Sequence, residues 1–273
     1  MRFRLILAVG LALILASSSV LAGKPFDHQH KAFQQILQSY VKDGKVDYAG
    51  LKLAHKKLDK YIDSLGDVSE KRYAGFTRNQ KLAYWLNFYN ACLLEAVSSN
   101  LDKVATEGTR SPRQIPGLWT AFKWETPFGR RTLNSMEFDF LRDFRKVMWP
   151  TAVSRGTTSG GYLRSHAYTG SNVKDQIRSA TRQWIGMKSN FEVDVEKKTL
   201  RVSKYLLHFM PDFKGEFMNR GEFMGRTEQE QVFANIFLKF GTNSDAKAMI
   251  RKGDFTLVAL PKDDTLNEFG AAR

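Results

Sequence analysis

Apolar positions recur with a helical period along much of the chain. In 26–41, "FDHQHKAFQQILQSYV", Phe33, Ile36, Leu37 and Tyr40 fall on one face. The charged turn "KDGK" ends this helix, and "VDYAG" reads as a short extended piece. Helical spacing resumes in "LKLAHKKLDKYIDSL" through Leu51, Leu58, Ile62 and Leu65, with His55 on its exposed side. Thr77 and Gln80 suit a capping box. They precede "KLAYWLNFYNACLLEAVSS", the strongest helical pattern in the chain, whose Leu82, Trp85, Leu86, Tyr89, Leu93 and Ala96 form a broad apolar stripe. From Leu101 to Pro127 the pattern lapses, and Pro112, Pro116 and Pro127 limit regular structure. "TAFKWETPFGRRTL" predicts a hairpin turning near Pro127 to Gly129. "NSMEFDFLRDFRKVM" predicts a helix capped by Asn134 or Ser135.

Beyond a glycine-rich stretch, "SNVKDQIRSATRQWI" is helical and "FEVDVEKKTLRVS" alternates as a hairpin does. "KYLLHFMPDF" is expected to prolong the strand to a break at Pro211, placing His208 in packing at a strand end. "TEQEQVFANIFLKF" is a late helix with Thr227 and Glu230 at its cap, and "FTLVAL" a terminal strand. No repeat and no linker interrupts the pattern. The expected fold is one helix-rich α+β domain over 23–273, with short antiparallel strands or hairpins.

The first 22 residues stand apart. Arg2 and Arg4 precede an apolar run from Leu5 to Ala16, and Val20-Leu21-Ala22 forms a small-residue cleavage site. This is the pattern of a secretory signal peptide; the run falls short of the roughly 20 residues of an ordinary span. Cleavage near Ala22 takes 22 residues from 273 and leaves 251, and losing Arg2 and Arg4 lowers the formal charge from +14 to +12. The expected location is a bacterial periplasm, with secretion as the other destination. Cys92 is the single cysteine, so no intramolecular disulfide forms. The basic balance suits solubility or attraction to an anionic polymer or membrane surface. Export and the absence of a recognisable motif speak against nucleic acid.

Candidate chemistry centres on "SRGTTSGGYLRSHAYTG", 154–170. Gly156, Gly160 and Gly161 permit tight turns whose amides would cradle an anion. Neither a phosphate-loop lysine nor a dinucleotide fingerprint accompanies them. Ser159 is a conceivable nucleophile, with His166 a conceivable base; a structural loop is the plainer reading. Asn87 and Asn90 share a helix face and would either pin loop backbone or line a pocket, with Glu95 toward the edge of that face. Glu137 would salt-link to a basic neighbour or act as acid or base. Asp27, His28 and His30 have ligand-like spacing without making a specific zinc site. Cys92, flanked by leucine in mid-helix, reads as buried and inert. No metal and no cofactor is expected.

Several pieces in order are similar to the family catalogued as domain of unknown function 547. They are "ILQSYVKDGKVDYAGL", "AYWLNFYNACLLEAV", "FGRRTLNSMEFDFLR", "LRSHAYTG" and "DDTLN". Together they extend from about Phe33 to Asn267. The resemblance also marks departures. The family's cysteine falls at Gly160 and its proline at Gly161; two histidines fall at Glu95 and Phe138. If the family uses that cysteine and histidine in catalysis, this chain lacks the parts, while Asn87, Asn90 and Glu137 match. The resemblance therefore implies an exported, non-catalytic binding or accessory protein of the bacterial envelope. Its degenerate cleft would be lined by Asn87, Asn90, Glu95, Glu137, Gly160, Gly161, Arg164, His166 and Tyr168, and its partner would be an envelope ligand or protein. Two alternatives stay open. One is a hydrolase or transferase using Ser159 and His166, or a metal near His28 and His30. The other is a cationic protein binding an anionic envelope polymer.

Overall fold

The computed structural model describes residues 25–105, 108–144, 148–218 and 223–270. The segment expected to be a signal peptide lies outside the described residues. A 22-residue helix, α5 (Arg78–Ser99), runs through the middle. Every residue from Leu82 to Leu94 is buried, so the expected stripe is in fact an all-round apolar surface. Thr77 and Gln80 close its first turn reciprocally, as their spacing predicts.

The N-terminal helices pack on α5. They are α1 (Lys31–Tyr40), α2 (Tyr48–Leu53), α3 (His55–Gly66) and α4 (Glu70–Ala74). Between α1 and α2, β1 (Val41–Lys42) pairs with β2 (Lys45–Val46). Asp43 and Gly44 both have positive φ, 50° and 78°, which a two-residue Asp-Gly hairpin turn requires. "VDYAG" is therefore not extended throughout. Val46 ends a strand, Asp47 accepts the Gly50 N–H at 2.8 Å, and that cap starts α2. The expected helix over 51–65 is likewise divided, at Ala54.

The hairpin expected over 120–133 is reduced to one bridge, Trp124 with Arg131, around a turn at Thr126–Gly129. Thr132, rather than Asn134 or Ser135, caps α6 (Leu133–Asp139); Ser135 returns the bond to the Thr132 N–H at 2.8 Å. The helix stops at Asp139, and a 3-10 turn follows at Leu141–Phe144, so the longer helix expected to Met148 does not form over the described residues.

The second half is built on α7 (Val173–Gly186) and a three-stranded sheet. Strand β3 (Phe191–Asp194) pairs antiparallel with β4 (Thr199–Ser203), as the alternation predicts. The next segment departs from expectation. Ser203 caps α8 (Lys204–His208), and α9 (Met210–Phe217) follows with Pro211 in its first turn, where a missing N–H costs nothing. His208 is thus a helix residue. Helices α10 (Glu228–Phe240) and α11 (Ser244–Arg251) then return the chain to β5 (Thr256–Leu260). That strand lies parallel to β4, in register from Thr199 with Thr256 to Ser203 with Leu260. The sheet is therefore mixed, not purely antiparallel, because the intervening helices carry the chain back to the same end. One continuous apolar core joins both halves, and the fold is helix-rich α+β. No helix among the described residues is long and apolar enough to cross a membrane.

Candidate functional site

Asn87 and Asn90 sit fully inside the protein on α5, where an unpaired amide is costly. Each is spent on loop backbone. Asn87 donates to the Tyr168 carbonyl at 2.8 Å and accepts the Tyr168 N–H at 2.9 Å. Asn90 donates to the Ala152 carbonyl at 3.1 Å and accepts the Ser154 N–H at 2.8 Å. The pair therefore pins both ends of the glycine-rich stretch, the first of the two readings their spacing allowed.

The loop's amides are committed as well. Thr158 and Ser159 donate to the carbonyls of Thr265 and Asp263, Gly160 to Thr157, and Tyr162 to Thr151. The expected anion cradle of free amides is not formed at these residues. Gly160 and Gly161 are enclosed by neighbouring backbone. A Cβ on Gly160 would lie 2.9 Å from the Arg155 nitrogen, and one on Gly161 2.1 Å from the Val153 oxygen. Trp184 Nε1 donates to the Gly160 carbonyl at 2.8 Å. Gly160 is thus enclosed by backbone, with no room for a side chain.

Ser159 is 1% exposed, and its hydroxyl donates to the Asp263 carbonyl at 2.9 Å. His166 is exposed, its Nδ1 3.1 Å from Ser165 Oγ. No hydrogen bond joins Ser159 to His166, and they line no common cavity. Arg164 stacks over the Tyr168 ring, 5.4 Å from its centre. Glu95 accepts from Trp124 Nε1 at 3.2 Å and Ser99 Oγ at 3.1 Å, away from the loop, and burial raises its pKa. Cys92 is buried, and burial pushes its thiol well up. Phe138, which stands where the resemblance expects a histidine, is half exposed beneath the Arg142 guanidinium.

Asp27, His28 and His30 do not converge. Asp27 accepts the Lys31 N–H at 2.8 Å just ahead of α1, and His28 packs edge-on against Phe76. His30 Nδ1 lies 2.8 Å from the Tyr61 hydroxyl. No group of three metal-ligating side chains occurs among the described residues.

The most charged buried contact is the pair Glu137–Arg155, which joins α6 to the start of the loop. Burial raises the Glu137 pKa and the adjacent guanidinium opposes that rise; the Tyr89 hydroxyl faces the same carboxylate. This realises the expected salt link. The exposed edge of Arg155 opens on a cavity of about 260 Å³ that also includes Ser159 and Thr157. Arg113, His208, Lys262 and Asp264 reach the same cavity, with Trp119 and Phe209 among its walls. A second cavity, of about 280 Å³, lies against Gly160, Gly161 and the β1–β2 turn. Of the residues expected to share one cleft, Asn87, Asn90, Glu95, Glu137, Arg164, His166 and Tyr168 line neither of these two cavities, and the two glycines border the second only.

The charged cavity draws on five separate segments, so no local pattern announces it. Its nearest sequence signals are Arg155 beside the glycine-rich stretch and the charged run Lys262-Asp263-Asp264 in the closing motif. His208 was masked by the strand reading of its segment. Comparison with protein-family models, curated proteins and solved structures finds no match to this chain.

Proposed function

We propose that the mature chain is an exported binding or accessory protein of the bacterial envelope, holding a ligand in the Arg113–Arg155–Lys262 cavity without turning it over. One observation carries this reading. The Ser159 hydroxyl, the loop's candidate nucleophile, is bonded to the Asp263 carbonyl rather than to a base, and Gly160, where the resemblance places a cysteine, has no room for a side chain. A serine nucleophile needs a base within roughly 2.6–3.2 Å. Export rests on the N-terminal pattern, and the resemblance to the unknown-function family supports a cleft that has lost its thiol.

The test is turnover by the mature protein on panels of carboxylic ester, amide and phosphoester substrates. A Ser159→Ala/His166→Ala variant, shown by circular dichroism to be folded, serves as control. No turnover above background is expected from either protein. Turnover by the wild type that disappears in the folded double variant would refute the non-catalytic reading.

A further inference from the structure

The charged cavity has a composition that a structural role does not require. Three basic side chains, Arg113, Arg155 and Lys262, border it with one carboxylate, Asp264. Arg113 meets Asp264 through Nε at 2.5 Å, which leaves the two terminal amino groups of its fork available. Arg155 is held in place by Glu137 from behind, which fixes its direction. Lys262 forms no ion pair among the described residues, although it stands near both arginines. Burial and the positive charges of Arg113 and Arg155 lower its pKa against the opposing pull of Asp264, and burial, Lys262, Arg155 and Arg142 lower that of His208 against Asp212. These cations repel one another across a shared space, and a bound anion would offset that repulsion.

Trp119 and Phe209 add two flat aromatic walls, beside the polar side chains of Thr120, Asn134, Thr157 and Tyr205. The Arg113 guanidinium lies over Trp119 at 5.8 Å and that of Arg155 over Phe209 at 5.5 Å, so each ring adjoins a cationic donor. At about 260 Å³ the cavity is slightly smaller than most ligand sites and matches a small molecule.

We infer that this cavity recognises a small molecule bearing an oxyanion on a flat apolar body, the oxyanion held by Arg113, Arg155 and Lys262 and the body seated against Trp119 and Phe209. The inference rests on the binding reading above and assigns its ligand a chemistry. Guanidinium forks suit planar or tetrahedral oxyanions, and the ammonium of Lys262 adds a point charge.

The test uses isothermal titration of the mature protein with phenyl phosphate, phenyl sulfonate, inorganic phosphate and neutral benzyl alcohol. Arg113→Met and Lys262→Met are compared with Lys60→Met, an exposed charge change on α3. Both aryl anions are expected to bind at least tenfold more tightly than inorganic phosphate or benzyl alcohol. Each cavity variant should weaken them at least tenfold, and Lys60→Met should leave them unchanged. Equal binding of benzyl alcohol, or aryl-anion binding indifferent to both cavity variants, overturns the oxyanion inference while leaving a binding protein. Absence of binding by either aryl anion overturns it too. Release of phenol from phenyl phosphate, with affinity still lost in the cavity variants, supports oxyanion recognition and instead overturns the non-catalytic reading.

Discussion

His30 caps α1 with a left-handed backbone, φ 49°, and its ring is 2% exposed. Burial lowers its pKa from 6.5 to about 4; Asp27 opposes the fall and His28 adds to it. The folded protein therefore holds this ring neutral while the unfolded chain binds a proton across that interval. Stability contributed by the neutral ring is present above pH 6.5 and is lost as pH falls through about 4. The loss is of the order of 3 kcal/mol at most. Urea denaturation of wild type and His30→Gln at a series of pH values should show the difference in unfolding free energy changing within this window and flat above it. A constant difference from pH 4 to 7 would exclude the linkage. At the same scale, the ligand-like spacing of Asp27, His28 and His30 is misleading because each has a local partner that a linear pattern does not show. The position of Gly160 carries the opposite lesson. The absent side chain is visible in the sequence, but the enclosure around it is not.

Among the elements, α5 and its bonded loops are the most legible. Its capping box and dense apolar content define it locally, and burial of both asparagines follows from a helix enclosed on every side. Their spacing allowed pinning or pocket lining; the backbone that meets them decided for pinning. Asn87→Ala removes a donor and an acceptor from the buried backbone of Tyr168, at an expected cost of about 2–4 kcal/mol in urea denaturation. Hydrogen exchange at the Tyr168 amide should accelerate in the same variant; an unchanged amide with unchanged stability would mean that the clamp is energetically neutral. The segment 204–213 was the least legible element. Its aromatic and aliphatic content suits a strand, yet Ser203 as cap and Pro211 in a first turn make two short helices. Helix breaks at Ala54 and after Asp139 were also unreadable, since apolar spacing continues through both while packing redirects the chain.

Across the whole molecule, the closing segment is the fastener. Asn267 accepts from the Tyr48 hydroxyl at 2.9 Å and donates to the Gly44 carbonyl at 2.9 Å, while its backbone bonds Val46 and Gly156. One residue thus ties the N-terminal hairpin, more than two hundred positions before it, to the glycine-rich loop. Asn267→Ala should cost about 2–4 kcal/mol by leaving two groups unpaired. Exchange should rise together at 41–46 and at 156–160; a rise confined to one of these segments would break the proposed fastening. The sequence by itself determined the helix-rich α+β class, the main helices with their caps, the β3–β4 hairpin and the lack of a cysteine side chain in the central loop. Those features follow from periodicity, turn chemistry and residue identity, which act over a few neighbours. Tertiary structure alone decided the parallel seating of β5, the separation of Ser159 from His166, and the meeting of Arg113, Arg155, His208 and Lys262 around one cavity. Their positions are set by packing between segments far apart in the chain, and no local pattern encodes which distant side chains a fold will bring face to face.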